Sequence, residues 1–253
     1  MGVAMGVSLG VPFIYLLINR KRMRLIPLLI GIVAYVVINY LLLGLALGQL
    51  LQNIENPFLA SVVNGIVYAV AVVFGNWLVL KYAIKGTDSM DVPLSYALGY
   101  TFIRLIYISG AQMFSNISLA TAVNNNGFEK VATTVDDSQA LYDLLTEIEN
   151  TPIIVHLMGG VEMVCFFCLS VAVCVMVWQW IKHADTRCTV IALVSDFLAY
   201  LMLCMYSFGA VSNALVVDVV YLVVATAASV YAYYSFRKTE GGPKYHADPV
   251  SRF

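Results

Sequence analysis

Charge is what this chain has least of. Asp, Glu, Lys and Arg make up 11% of its 253 residues, where a soluble domain carries roughly 25%. With 61% hydrophobic residues, that scarcity excludes an ordinary soluble fold and implies an integral membrane protein. A formal net charge of −1 without a basic patch or zinc-finger spacing excludes a nucleic-acid partner. Histidine is nearly absent too, with three residues: His156, His183 and His246. No H-E-x-x-H pair exists, so neither a catalytic zinc nor any other metal or cofactor is read from the residues. The outer segments hold no cysteine, which excludes an extracellular disulfide framework. A basic n-region and an A-x-A cleavage site are missing from the start, so the first apolar stretch is expected to be retained. "MGVAMG" lacks the Ser or Thr that a myristoylation signal needs at position 6.

What is present is apolar sequence in long runs. Seven spans can be drawn near 2–18, 25–51, 58–84, 93–120, 152–181, 188–209 and 214–236, each able to cross about 30 Å of hydrocarbon. Twelve of the 14 Lys and Arg fall in "NRKRMR" (19–24), "KYAIKGTDSMD" (81–91), "KHADTR" (182–187) and the tail from Arg237. The positive-inside rule then puts the N-terminus outside and the C-terminus in the cytoplasm. The expected fold is an all-α integral membrane bundle of about seven transmembrane helices. A polytopic domain covers 1–238 with an outer loop at about 121–151, and a cytoplasmic tail covers 239–253.

That loop carries "DDSQALYDLLTEIEN", where Leu141, Leu144, Leu145 and Ile148 recur at i, i+3, i+4, i+7, one face of a short amphipathic helix. It either lies on the outer bilayer face and closes the bundle, or forms a lid or docking surface. All five cysteines lie in spans or at their cytoplasmic ends, and "CFFC" at 165–168 reads as two small buried side chains. Gly2, Gly6 and Gly10 form one small-residue stripe and Gly44 and Gly48 another. Such stripes let helices approach within the bundle, or let the bundle contact another membrane subunit.

Polar residues inside the spans carry the functional question: Asn39, Asn64, Asn76, Arg104, Glu162, Asp196 and Asp218, with Tyr100 beside Arg104 and His156 near an outer end. Arg104 stays charged almost anywhere and is costly in hydrocarbon unless paired or hydrated. It is expected to pair with Glu162, Asp196 or Asp218 and fix helix register, or to face a polar cavity and bind an anionic group. Asp218, a few residues into its span, could instead reach the outer interface. His156 and Glu162 are six residues apart, about 240° of helical rotation, and share no face. Hydrolysis is poorly supported by these residues, and His156, Glu162 and Asp196 form the fallback catalytic set.

The chain resembles the YhfC family, seven-span bacterial membrane proteins regarded as intramembrane peptidases related to the CAAX-type and PrsW-type glutamic or metal-dependent proteases. "SLGVPFIYLLINRKRMRLIPLLIGIVAYVV", "YALGY", "GGVEMV" and "IALVSDFLAY" carry the resemblance in order. It implies a bacterial cytoplasmic membrane location. It also implies an EExxR-like motif where this chain has "VVFGN" (Val72 to Asn76), and a GHGxxE-like motif where it has "GYTFIR". Tyr100 then replaces a histidine, Arg104 an acid, and Asp196 a further histidine, leaving Glu162 as the retained acid. An arginine can neither accept water's proton nor ligate a metal. The favoured reading is a pseudoprotease-like scaffold or accessory subunit that binds another membrane protein or peptide. An active intramembrane protease with a reorganised site is the alternative. A substrate-binding or transport subunit for a small anionic ligand is the third.

Overall fold

The computed structural model describes residues 2–44, 54–84, 89–132, 138–150 and 152–240, all helix and short connections with no strand among them. Helix α1 (Gly2–Asn19) is followed by α2 (Leu25–Val36), which runs on as a π-helical stretch, Val37–Leu42. Helix α3 (Pro57–Leu78) ends likewise in Val79–Ala83. Asn56 starts α3 by accepting from the backbone N–H of Phe58 (3.0 Å) and Leu59 (3.2 Å), with Pro57 in the first turn, where its missing N–H costs nothing. Helix α4 (Asp91–Phe102) passes through a π-helical stretch, Ile103–Gly110, into α5 (Ala111–Asn126). Two short helices, α6 (Phe128–Ala132) and α7 (Ser138–Asn150), precede the long α8 (Ile153–His183), α9 (Thr186–Ser207) and α10 (Ala214–Glu240). Helix α7 falls where the leucine spacing predicts it, with Leu141 buried and Tyr142 edge-on to Phe128 of α6.

Among the described residues five stretches are long and apolar enough to cross a membrane: Leu25–Leu42, Pro57–Ala83, Leu157–His183, Thr186–Ser207 and Ala214–Thr239. Leu9–Asn19 of α1 is a shorter apolar helix. Helix α8 is the axis of the bundle, touching α1, α3, α4, α9 and α10, and Phe166, Leu169, Val173, Cys174, Met176 and Val177 along it are buried. The five cysteines are free thiols on α8 and α9.

Helices α2 and α4 meet backbone to backbone. A Cβ added at Gly31 would overlap the Tyr96 carbonyl and stand 2.8 Å from the Tyr100 amide, and one added at Gly99 would overlap the Leu28 carbonyl. Without a hydrophobic force between helices in lipid, this contact depends on small residues. It drives Tyr96 and Tyr100 into the centre, where both are fully buried. The expected stripes behave otherwise: a Cβ at Gly6, Gly10 or Gly44 would meet nothing within 4 Å. Among the described residues these three glycines make no close helix contact: Gly6 and Gly44 are exposed, and Gly10 borders an open groove between α1 and α4 beside Leu98, Thr101 and Leu105. Gly48, the side-chain surroundings of Gly2 and His156, and the tail 241–253 lie outside the described residues.

Candidate functional site: a polar cavity inside the bundle

The π-helical stretch 103–110 holds Arg104. Such stretches widen a helix locally and recur at functional sites. Its guanidinium carbon lies 4.1 Å from the centroid of the Phe166 ring on α8, a stacking worth about 2 kcal/mol when desolvated. Among the described residues no carboxylate approaches within 4.0 Å of it. The ion pair expected with Glu162, Asp196 or Asp218 is thus replaced by an aromatic contact, because α8 presents the Phe166 face to Arg104. Glu162 and the phenols of Tyr68, Tyr221 and Tyr35 bear on its charge from further off. Asp218 is largely buried on α10, and Glu162 feels both it and Arg104.

Arg104 lines a small cavity of about 10 Å³ with Asn76 and Tyr68 of α3, Tyr100 of α4, Ser170 of α8 and Asp196 of α9, room for roughly one water or the tip of one polar group. Tyr200 and Tyr221 complete its aromatic wall. Tyr68 and Tyr200 stack at 3.6 Å, 3° from parallel. Val72, Asn76, Tyr100, Arg104 and Asp196, which the sequence resemblance matches to the chemistry-bearing positions, thus surround one space.

Hydrogen bonding leaves part of this lining unmatched. Tyr96 donates its hydroxyl to Asn76 Oδ1 at 2.6 Å, which turns the Asn76 amide nitrogen away. That Nδ2 has no acceptor, and Asn76 is 0% exposed. Asn39 Nδ2 donates to the Tyr100 hydroxyl at 3.1 Å and to the Tyr35 carbonyl at 3.0 Å. On the far side, Asp196 is 6% exposed and its Oδ2 has no partner. Tyr68 and Tyr221 interact electrostatically with both Arg104 and Asp196, so these rings stand within range of both charges. Buried polar atoms are normally satisfied. Asn76 Nδ2 and Asp196 Oδ2 depart from that rule, as do Asn64 Oδ1, Gln179 Nε2 and Thr189 Oγ1 away from this cavity lining.

This donor set does not fit a catalytic metal. A zinc site needs three or more His, Cys, Asp or Glu ligands, and the described residues hold no group of three able to surround an ion. The cavity offers one carboxyl, an amide and phenols beside a guanidinium that repels a divalent cation. Asn76, Tyr100, Arg104 and Asp196 are brought together, whereas Glu162 stands apart from the cavity lining. The sequence reading missed Phe166, Tyr68, Tyr200 and Tyr221, since a tyrosine or phenylalanine in an apolar span is indistinguishable from core.

A family model described as the YhfC intramembrane metalloprotease matches residues 7–221. A relative described as the uncharacterized membrane protein YhfC of Bacillus subtilis (strain 168) is 23% identical over 157 residues, 62% of this chain and 60% of that protein. The chain thus spans less than two thirds of that relative's length. No solved structure matches. The chain belongs to the YhfC intramembrane metalloprotease family.

Proposed function

We propose that this member of the family is not a hydrolase but a membrane-embedded binding protein, a scaffold or accessory subunit for another membrane protein or peptide. The observation that carries this reading is the make-up of the cavity: Asn76, Tyr100, Arg104 and Asp196 stand around it. Hydrolysis needs a base or a metal-bound water. Here the guanidinium supplies donors only, the Asn76 amide oxygen already accepts from Tyr96, and Asp196 is the single carboxyl among the lining residues. Gly6 and Gly44, exposed and with open space beside them, suit close approach by a helix of a partner. In this reading the chain crosses the bacterial plasma membrane seven times. Helix α1 and the continuous helix through α4 and α5 add two crossings to the five long apolar stretches, and the basic connectors 19–24, 81–91 and 182–187 face the cytoplasm.

The test is affinity purification in mild detergent with mass spectrometry, comparing wild type with Arg104→Ala at matched expression. A stoichiometric membrane protein with the wild type supports the reading, and its loss in a monodisperse mutant places Arg104 at or near the contact. A wild type that elutes alone and cleaves membrane peptides overturns it.

A further inference from the structure

Helices α1, α4, α8 and α10 leave a groove of about 390 Å³ between them, walled by Val11, Tyr15, Leu94, Val171, Ala232 and Tyr233. Inside it, Ser229 donates its hydroxyl to the Ala225 carbonyl of its own helix at 2.7 Å, so the interior suits hydrocarbon. Along α10 the groove runs from Ser229 to Phe236, roughly 10 Å of helix rise. Its cross-section is therefore roughly 40 Å², about half that of an α-helix about 10 Å across. A partner helix is too wide for it, and an extended acyl chain is not. The groove opens at the basic end of the bundle, where Phe236 precedes Arg237 and Met90 precedes α4. At that end Lys81 stands 4.5 Å from the Trp77 centroid, Lys182 4.7 Å from Trp178 and Arg237 5.3 Å from Tyr233. Cations over Trp and Tyr at helix ends mark the level of lipid head groups. Tyr233 is a wall of the groove, which puts the Arg237 guanidinium at its mouth. Among the described residues no carboxylate approaches Arg237 within 4.0 Å. On the α4 side the Arg24 N–H donates to Ser95 Oγ at 2.9 Å, tying the basic connector 19–24 to the turn that carries Leu94. Asp91 at that end accepts from the Ser89 hydroxyl at 2.9 Å, one acid beside a run of cations.

We infer that this groove holds one anionic phospholipid, with an acyl chain lying between Val171 and Ala232 and the phosphodiester at the mouth beside Arg237. Charge selects the head group. A zwitterionic lipid carries an ammonium next to its phosphate and gains less from a basic rim. The site shares no lining residue with the Arg104 cavity, so it stands whether this member of the family binds its partner or cleaves it.

The experiment places the full chain in phosphatidylcholine nanodiscs containing a trace of phosphatidylglycerol with a diazirine on one acyl chain, or the matching phosphatidylcholine probe. After irradiation, peptide mass spectrometry locates the cross-links. The phosphatidylglycerol probe is expected to label Val171, Val175 and Ala232 about fivefold more than the phosphatidylcholine probe does, the change one basic residue gives at a lipid surface. At Val194 and Leu198, exposed on α9, the two probes are expected to label alike. Arg237→Gln brings the probes to within about twofold of each other in the groove, and Arg237→Lys keeps the preference. Val11→Trp, at an exposed position of the groove wall, lowers groove labelling by both probes at least about threefold. If the tryptophan variant does not fold, Arg237→Gln at the exposed helix end still carries the test. Equal groove labelling by the two lipids, a preference that survives Arg237→Gln, or wild-type labelling in a monodisperse Val11→Trp overturns the assignment. Labelling no denser in the groove than at Val194 and Leu198 overturns it as well.

Discussion

The guanidinium of Arg104 stacks on the ring of Phe166 at 4.1 Å, and this contact, rather than an ion pair, accommodates an arginine inside the bundle. An aromatic face attracts the cation without using its N–H groups, so the donors stay available to the cavity. A double-mutant cycle with Arg104→Gln and Phe166→Leu, read by reversible unfolding in detergent, is expected to give a coupling of about 1–2 kcal/mol. Strictly additive effects would show the stacking to be incidental.

Backbone contact between α2 and α4 gives the second prediction. Gly99→Ala and Gly31→Ala place a methyl group on backbone atoms of the opposite helix and are expected to destabilise by about 1–3 kcal/mol. Gly6→Ala and Gly10→Ala, with nothing within 4 Å, should leave stability within about 0.5 kcal/mol. Thermal unfolding of the four purified variants checks the contrast. Under the proposed function Gly6→Ala lowers co-purification of a partner while leaving that unfolding temperature in place.

Tyr96 and Asn76 give the third. Tyr96→Phe removes the donor to Asn76 Oδ1 and leaves both ends of a fully buried amide unmatched. A loss of about 1–3 kcal/mol is expected. Unchanged stability would mean that the amide is satisfied in some other way.

How far the sequence discloses this arrangement differs by element. Helices α3 and α9 begin where Asn56 and Asp185 cap them, and α7 follows the leucine spacing of an otherwise polar segment. Both signals are local and contrast with their surroundings. The π-helical stretches at 37–42, 79–83 and 103–110 leave no such trace, because in a span apolar on every face a shift in period changes nothing readable. Asn76, Tyr100, Arg104 and Asp196 stand out as polar residues in apolar runs, so their candidacy is legible. Their convergence depends on the Gly31–Gly99 contact, which neither glycine stripe announces. For Arg104, charge alone suggests an acid as partner. The Phe166 ring wins because it lies on the face of α8 that meets the π-helical stretch.

Metal content of the purified protein separates a binding cavity from a metal centre. In this member of an intramembrane metalloprotease family the cavity lining offers one carboxyl, Asp196, beside the Arg104 guanidinium, too few donors to hold a metal. Elemental analysis after incubation with zinc and desalting is expected to give far less than one zinc per chain, unchanged in Asp196→Ala. One tightly held zinc per chain, lost in Asp196→Ala while the variant stays folded, would contradict it.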